Sequence, residues 1–70
     1  MNADIMRTLR VAKESDMRVR MIYEGEKGIS ERTVRVLGLD DENAKCYCYL
    51  RRRNRVFKIA NILSAVILDR

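Results

Sequence analysis

Tyr47-Cys48-Tyr49-Leu50-Arg51-Arg52-Arg53-Asn54-Arg55-Val56-Phe57-Lys58-Ile59 places five cations and three aromatic rings within thirteen residues. The run reads as a β-hairpin, because apolar and polar side chains alternate and every second residue of a strand lands on one face. Residues 44 to 52 form the incoming strand, with Cys46, Cys48 and Leu50 on one side and Lys45, Tyr47, Tyr49 and Arg51 on the other. Arg53-Asn54 makes a tight connection, and Arg55 to Ile59 returns with Arg55, Phe57 and Ile59 on the core parity. Basic charge interleaved with rings on a rigid sheet can hold phosphates and stack bases.

The segments on either side supply the rest of the sheet. Met17, Val19, Met21 and Tyr23 alternate with Arg18, Arg20, Ile22 and Glu24, a half-buried first strand. Glu24 to Gly28 is a polar turn carrying two glycines, and Ile29 to Leu39 is a longer second strand with Arg32, Val34 and Val36 on one parity. Beyond Val36 the apolar parity slips to Leu37 and Leu39 beside Gly38, which predicts a bulge or sharp bend. Asp40-Asp41-Glu42-Asn43 is a turn. After the basic hairpin, Ala60 to Leu63 forms a single helical turn and Ala65 to Leu68 a last short strand. Upstream of all this, Ile5, Met6, Leu9 and Ala12 fall on one stripe of a helix from Asn2 to about Glu14, with Asn2 available as N-cap.

A helix over residues 1–16, five short strands over 17–70, no proline and one bent strand argue for a mainly β domain. The expected architecture is a small five-stranded antiparallel barrel, with the N-terminal helix covering one open end or face. Seventy residues make one domain that buries only about 60% of the surface its unfolded chain exposes, so stability is marginal. No basic region followed by an apolar stretch opens the chain, and no apolar run is long enough for a membrane span, which predicts a cytoplasmic protein without membrane contact. Cys46 and Cys48 share a strand face, are poorly placed to bond to each other, and read as buried free thiols.

Net charge is +5, and eleven of the fifteen cations are arginine, whose planar fork suits bidentate contact with phosphate or carboxylate. Catalysis has little support. There is no histidine, the cysteines lack partners for zinc, and neither a phosphate-cradling glycine loop nor a nucleophile elbow is present. The expectation is a non-enzymatic protein without cofactor.

The residues so far resemble the WYL domains, bacterial Sm-like (SH3-type) barrels. Tyr47-Cys48-Tyr49-Leu50-Arg51, then Arg55-Val56-Phe57-Lys58-Ile59 and Asn61-Ile62, are similar to the family's Tyr-Cys-x-Leu-Arg strand and its Arg-x-Phe-basic-Ile-x-Arg-Ile strand and turn. Ile22-Tyr23 and Ser30-Glu31-Arg32-Thr33-Val34 resemble its first two strands. The resemblance spans about residues 17 to 68. The Trp-Tyr-Leu tripeptide that names the family would fall near Glu42-Asn43-Ala44 and is absent, Val36 stands where proline is usual, and Asn61 replaces the last arginine. The resemblance implies a regulatory module that senses a nucleic acid or nucleotide-like ligand. Such modules are usually joined to a helix-turn-helix reader, whereas residues 1 to 16 offer one helix, so the chain looks like a free-standing, divergent WYL domain.

Arg51 and Arg55 flank the hairpin connection and match charged positions of the family pattern; each is either a ligand contact or half of a structural ion pair. Arg32, on the parity of Val34 and Val36, could converge with Arg55 on one barrel mouth. Tyr23 and Tyr47 are candidates for base stacking or for ordinary half-buried packing. Arg52 and Arg53 form a solvated hairpin tip with phosphate contact as the alternative, and Asn61 completes the candidate set. Two functions fit: a module binding nucleic acid or a nucleotide-like anion through Arg32, Arg51 and Arg55, or an interaction module that assembles with itself or with a regulatory protein through a sheet edge or the helix face.

Overall fold

The computed structural model describes residues 3–68. Helix α1 (Ala3–Ser15) precedes five strands: β1 (Arg18–Gly25), β2 (Gly28–Leu39), β3 (Asn43–Cys48), β4 (Arg53–Lys58) and β5 (Ile62–Ile67). A 3-10 turn, Ile59–Asn61, joins the last two strands. All strand pairs are antiparallel in one sheet of order β4-β3-β2-β1-β5. The expected mainly β fold with an N-terminal helix is present; the Asn2 cap lies outside the described residues. No helix among the described residues is long and apolar enough to cross a membrane.

The sheet is forced to curl. In a flat sheet, β4 and β5 at its two ends would lie four strand spacings apart, about 19 Å. The three residues of the 3-10 turn rise only about 6 Å. The end of β4 is therefore held near the start of β5, and the sheet curls into the expected small barrel with β4 and β5 as its edge strands. Small inner side chains on β3 (Ala44, Cys46 and Cys48, all buried) leave room for β1 and β4 to meet across the interior. There Tyr23 and Phe57 pack edge-on with ring centroids 5.0 Å apart, and the Lys58 N–H donates to Tyr23 Oη at 3.3 Å.

Helix α1 lays Leu9 and Ala12 into the core beside Val19, Met21, Val34, Val36, Phe57, Ile59 and Ile62, with Ile5 and Met6 partly buried against the same cluster. This is the stripe predicted from the sequence. The parity slip in β2 is a bulge: pairing runs from Val36↔Cys46 directly to Gly38↔Lys45, leaving Leu37 over and returning Leu39 to the inner side opposite Ala44. Asp40 holds the next turn, its Oδ1 accepting the N–H groups of Glu42 (2.8 Å) and Asn43 (2.7 Å). These two bonds favour the carboxylate and hold Asp40 below its ordinary pKa. Acidification through that lowered pKa removes the contribution.

The second half of the chain differs from its sequence reading in boundaries. Strand β3 stops at Cys48 rather than at residue 52, because the chain turns at Tyr49–Arg52, where Arg52 adopts a left-handed backbone (φ 57°) and donates its N–H to the Cys48 carbonyl at 2.7 Å. Arg53 and Asn54, expected to be the connection, are the first residues of β4, paired with Cys48 and Tyr47. Leu50, expected on the core side, sits in the turn and is 71% exposed. The helical turn is Ile59–Asn61 rather than Ala60–Leu63, and β5 begins at Ile62, whose buried side chain makes it the first inward residue of the strand rather than part of the turn.

Two stability predictions follow from this packing. Leu9→Ala should lower the unfolding free energy measured in urea by about 2–5 kcal/mol, because a fully buried side chain on the one helix leaves a cavity against the sheet; a loss under about 1 kcal/mol would mean that the helix is not part of the core. Burial, reinforced by neighbouring Cys48, pushes the Cys46 thiol up to about 12. Its neutral form belongs to the fold, so this contribution is full below the unfolded-state pKa near 9 and is lost as pH rises toward 12. Both thiols are fully buried, so iodoacetamide at pH 8 should label Cys46 and Cys48 at least 100-fold more slowly in the native protein than in denaturant, as followed by mass spectrometry.

Candidate anion-binding groove

The β1–β2 connection sets one wall of the site. Gly25 pairs with Gly28 around the two-residue turn Glu26-Lys27, and Gly28 carries a φ of +115°, a conformation that side chains strain to adopt. That turn fixes the register, placing Ser30 opposite Tyr23 and Arg32 opposite Met21. Met21 is fully buried, so Arg32 stands on the inner parity. The opposite wall comes from β4, where Arg55 pairs with the buried Cys46 and shares its face with Phe57. Between the walls β3 has already ended, and the Tyr49–Arg52 turn brings Arg51 over the gap.

The result is an open groove of about 450 Å³ lined by Arg32, Arg51 and Arg55 together with Tyr23, Phe57, Ser30, Lys27 and Glu26. The convergence of Arg32 and Arg55 expected from strand parity is thus the observed arrangement. Arg32 is oriented by Ser30, whose Oγ accepts from Nε at 3.3 Å, while its Nη1 is buried without a hydrogen-bond partner among the described residues. Arg55 lies over the Phe57 ring, 6.0 Å from its centroid. The ion pairs among the described residues, Arg20–Glu31 and Arg35–Asp16, involve none of the three groove arginines. Four cations face one carboxylate, Glu26.

The remaining sequence candidates lie elsewhere. Tyr23 reaches the groove, but its ring is set edge-on against Phe57 and its hydroxyl accepts from Lys58, so it works first as the closure of the barrel. Tyr47 is on the opposite face of the sheet, cross-strand from Arg35 and Asn54 and edge-on to Tyr49. Arg53 is exposed at the start of β4. Asn61 does not line the groove but borders an adjoining depression with Glu24 and Lys58, which shares Tyr23 and Glu26 with it. Ser30 and Lys27 line the groove without being among the candidates that strand parity picks out. Their signal was the paired glycines: taking Glu26-Lys27 as a two-residue loop places Ser30 beside Arg32 and Lys27 at the rim.

No protein-family model and no curated protein matches the chain. Among solved structures it is similar to proteasome accessory factor B/C (PafBC) of Arthrobacter aurescens, with a TM-score of 0.87 and 21% sequence identity. That match covers 99% of this chain and 12% of the other, so the helix and barrel correspond in fold to one short segment of a much longer protein.

The dual role of Tyr23 is open to measurement. Tyr23→Phe keeps the ring and removes the acceptor for the Lys58 N–H, and should cost about 1 kcal/mol in urea unfolding. Tyr23→Ala also opens the interior beside Phe57 and should cost roughly 3 kcal/mol; equal effects of the two would show that ring packing does not close the barrel.

Proposed function

We propose that this chain is a non-enzymatic, WYL-like regulatory and ligand-sensing module that binds nucleic acid or a nucleotide-like anion through its arginine groove, in bacterial transcription-related regulation. The observation that carries this reading is the convergence of Arg32, Arg51 and Arg55, from β2, the β3–β4 turn and β4, on one groove in which none has a carboxylate partner among the described residues. Three like charges held together are unfavourable by themselves, and an anion relieves that repulsion. The buried Arg32 Nη1 adds an unmet donor beside the groove, and guanidinium forks match phosphate oxygens in pairs. The WYL-like pattern of residues 47–62 supports the same conclusion, since two of the three arginines lie within it.

Anisotropy titrations of labelled single-stranded DNA, single-stranded RNA and duplex at several salt concentrations test this proposal. Neutralising about three phosphates on a single strand gives a log–log salt slope near −2, or roughly 20-fold weaker binding at about 200 mM than at about 50 mM salt. The Arg51→Ala/Arg55→Ala variant should lose at least tenfold in affinity at low salt while remaining folded. Absence of saturable binding at low salt would overturn the reading.

A second reading, assembly through a sheet edge, is favoured by the contrast between the two edges. Strand β4 is guarded by Arg53, Arg55 and Lys58, whereas residues 59–68, including all of β5, hold no charged side chain, and Leu63 and Val66 are exposed. Under this reading light scattering shows mass rising with concentration, and Val66→Lys restores the monomer. A mass independent of concentration would exclude self-assembly.

A further inference from the structure

The groove offers charge but few ring surfaces. Tyr23 is used by Phe57 and Lys58, and Arg55 already lies over Phe57. The freer rings are on the other side of the sheet. Cys46 and Cys48 point into the core, so Tyr47 between them points outward, and Tyr49 joins it there with ring centroids 5.1 Å apart and planes at 82°. An edge-on pair presents the face of one ring to the edge of the other and leaves ring surface for a third group to stack on.

Cations flank that pair in register. Arg18, Arg35, Tyr47 and Asn54 lie in one line across β1 to β4. Arg20 and Thr33 form the next line, and the Thr33 carbonyl accepts the Tyr49 N–H at 3.2 Å. The acids on this face include Asp16, which accepts from Arg35 Nη1 at 3.1 Å, Glu31, ion-paired with Arg20 Nε at 3.4 Å, and Glu24, on the parity of Arg18 and Arg20 toward the far end of β1. Both paired carboxylates are more than half exposed, so these pairs are weak and a phosphate can replace either carboxylate. Arg35 Nε is buried without a partner among the described residues.

We propose that this outer face is a second contact surface for single-stranded nucleic acid, in which Tyr47 and Tyr49 stack bases and Arg18, Arg20 and Arg35 hold the phosphates beside them. The proposal rests on the groove reading and sharpens its ligand class. Tyr49 on the outer face and Arg51 in the groove are two residues apart in the same turn, so the two surfaces meet at the tip of the β3–β4 hairpin. A mononucleotide reaches only one of them. A strand several nucleotides long passes over the tip with its backbone on the guanidiniums and its bases on the tyrosines, the division of labour that sequence-tolerant single-strand binders use.

Three probes of graded chemistry test it: a fluorescein-labelled dT12, a labelled abasic 12-mer of equal charge, and thymidine monophosphate as competitor. The expected result is dT12 bound at least tenfold more tightly than the abasic strand, with thymidine monophosphate displacing dT12 poorly. Tyr47→Ala/Tyr49→Ala should bring dT12 down to the abasic affinity and leave abasic binding unchanged. Tyr47→Phe/Tyr49→Phe, which keeps the rings, should retain dT12 binding and serves as the folding control. With the outer face engaged the dT12 salt slope should be steeper than the value near −2 that the groove alone gives, and Arg18→Ala/Arg20→Ala should take about 1 off it. Equal affinity for dT12 and the abasic strand, or full dT12 binding by a folded double-alanine variant, would overturn the outer surface while leaving the groove standing. Loss of dT12 binding in the tyrosine variant with none in Arg51→Ala/Arg55→Ala would overturn the groove instead. No binding of any strand would overturn both.

Discussion

The three-residue connection Ile59–Asn61 is the constraint on which the rest of this small fold depends. It joins the end of one edge strand of a five-stranded sheet to the start of the other, so the sheet must curl and the inner side chains must fit a narrow interior. That interior is shared unequally. Strand β3 contributes only alanine and cysteine, which lets large residues of β1 and β4 meet across it, Tyr23 against Phe57. The Lys58 N–H, in an edge strand of the sheet, finds its acceptor on Tyr23 instead of on a neighbouring strand. The helix then adds Leu9 and Ala12 to a core that a chain of this size needs.

The groove is a by-product of the same closure. Arg32 and Arg55 belong to strands separated by β3, and neither would be near the other in a flat sheet. Because β3 ends at Cys48 while β2 continues through Arg32 and Ser30 toward its turn, the inner face is left open at that end, and the chain crosses above it as the turn bearing Arg51. The charges collected there differ in kind from those on the outer face. Arg20 and Arg35 have carboxylates within 3.4 Å, whereas in the groove Arg32 is held by Ser30 and Arg55 lies over the Phe57 ring, contacts that orient a guanidinium without neutralising it. Orientation without neutralisation is the electrostatic condition for binding an anion.

Much of this was legible in the residues. The helix stripe, the alternation in β1, the turn at Asp40 and the bulge after Val36 are all periodic signals, and periodicity reports directly which side of an element is buried. The basic hairpin was harder. Its alternation runs unbroken through Tyr49, Leu50 and Arg51, so nothing local says where the strand stops; the turn there rests on a left-handed Arg52, a conformation that arginine gives no sign of adopting. Leu50 was accordingly assigned to a core it never reaches.

By itself the sequence determined the inward-facing residues of the helix and of the strands outside the Tyr49–Arg52 turn, that arginine rather than lysine supplies most of the charge, and that Arg32 and Arg55 share the inner parity, because strand period and side-chain chemistry are local properties. Only the tertiary structure decided that Arg32, Arg51 and Arg55 share one groove, that Tyr23 serves as the seam of the barrel, and that Tyr47 stands on the opposite face with Tyr49. Those outcomes depend on the curl imposed by a three-residue connection between distant edges, and a distance across a closed sheet is written in no single stretch of the chain.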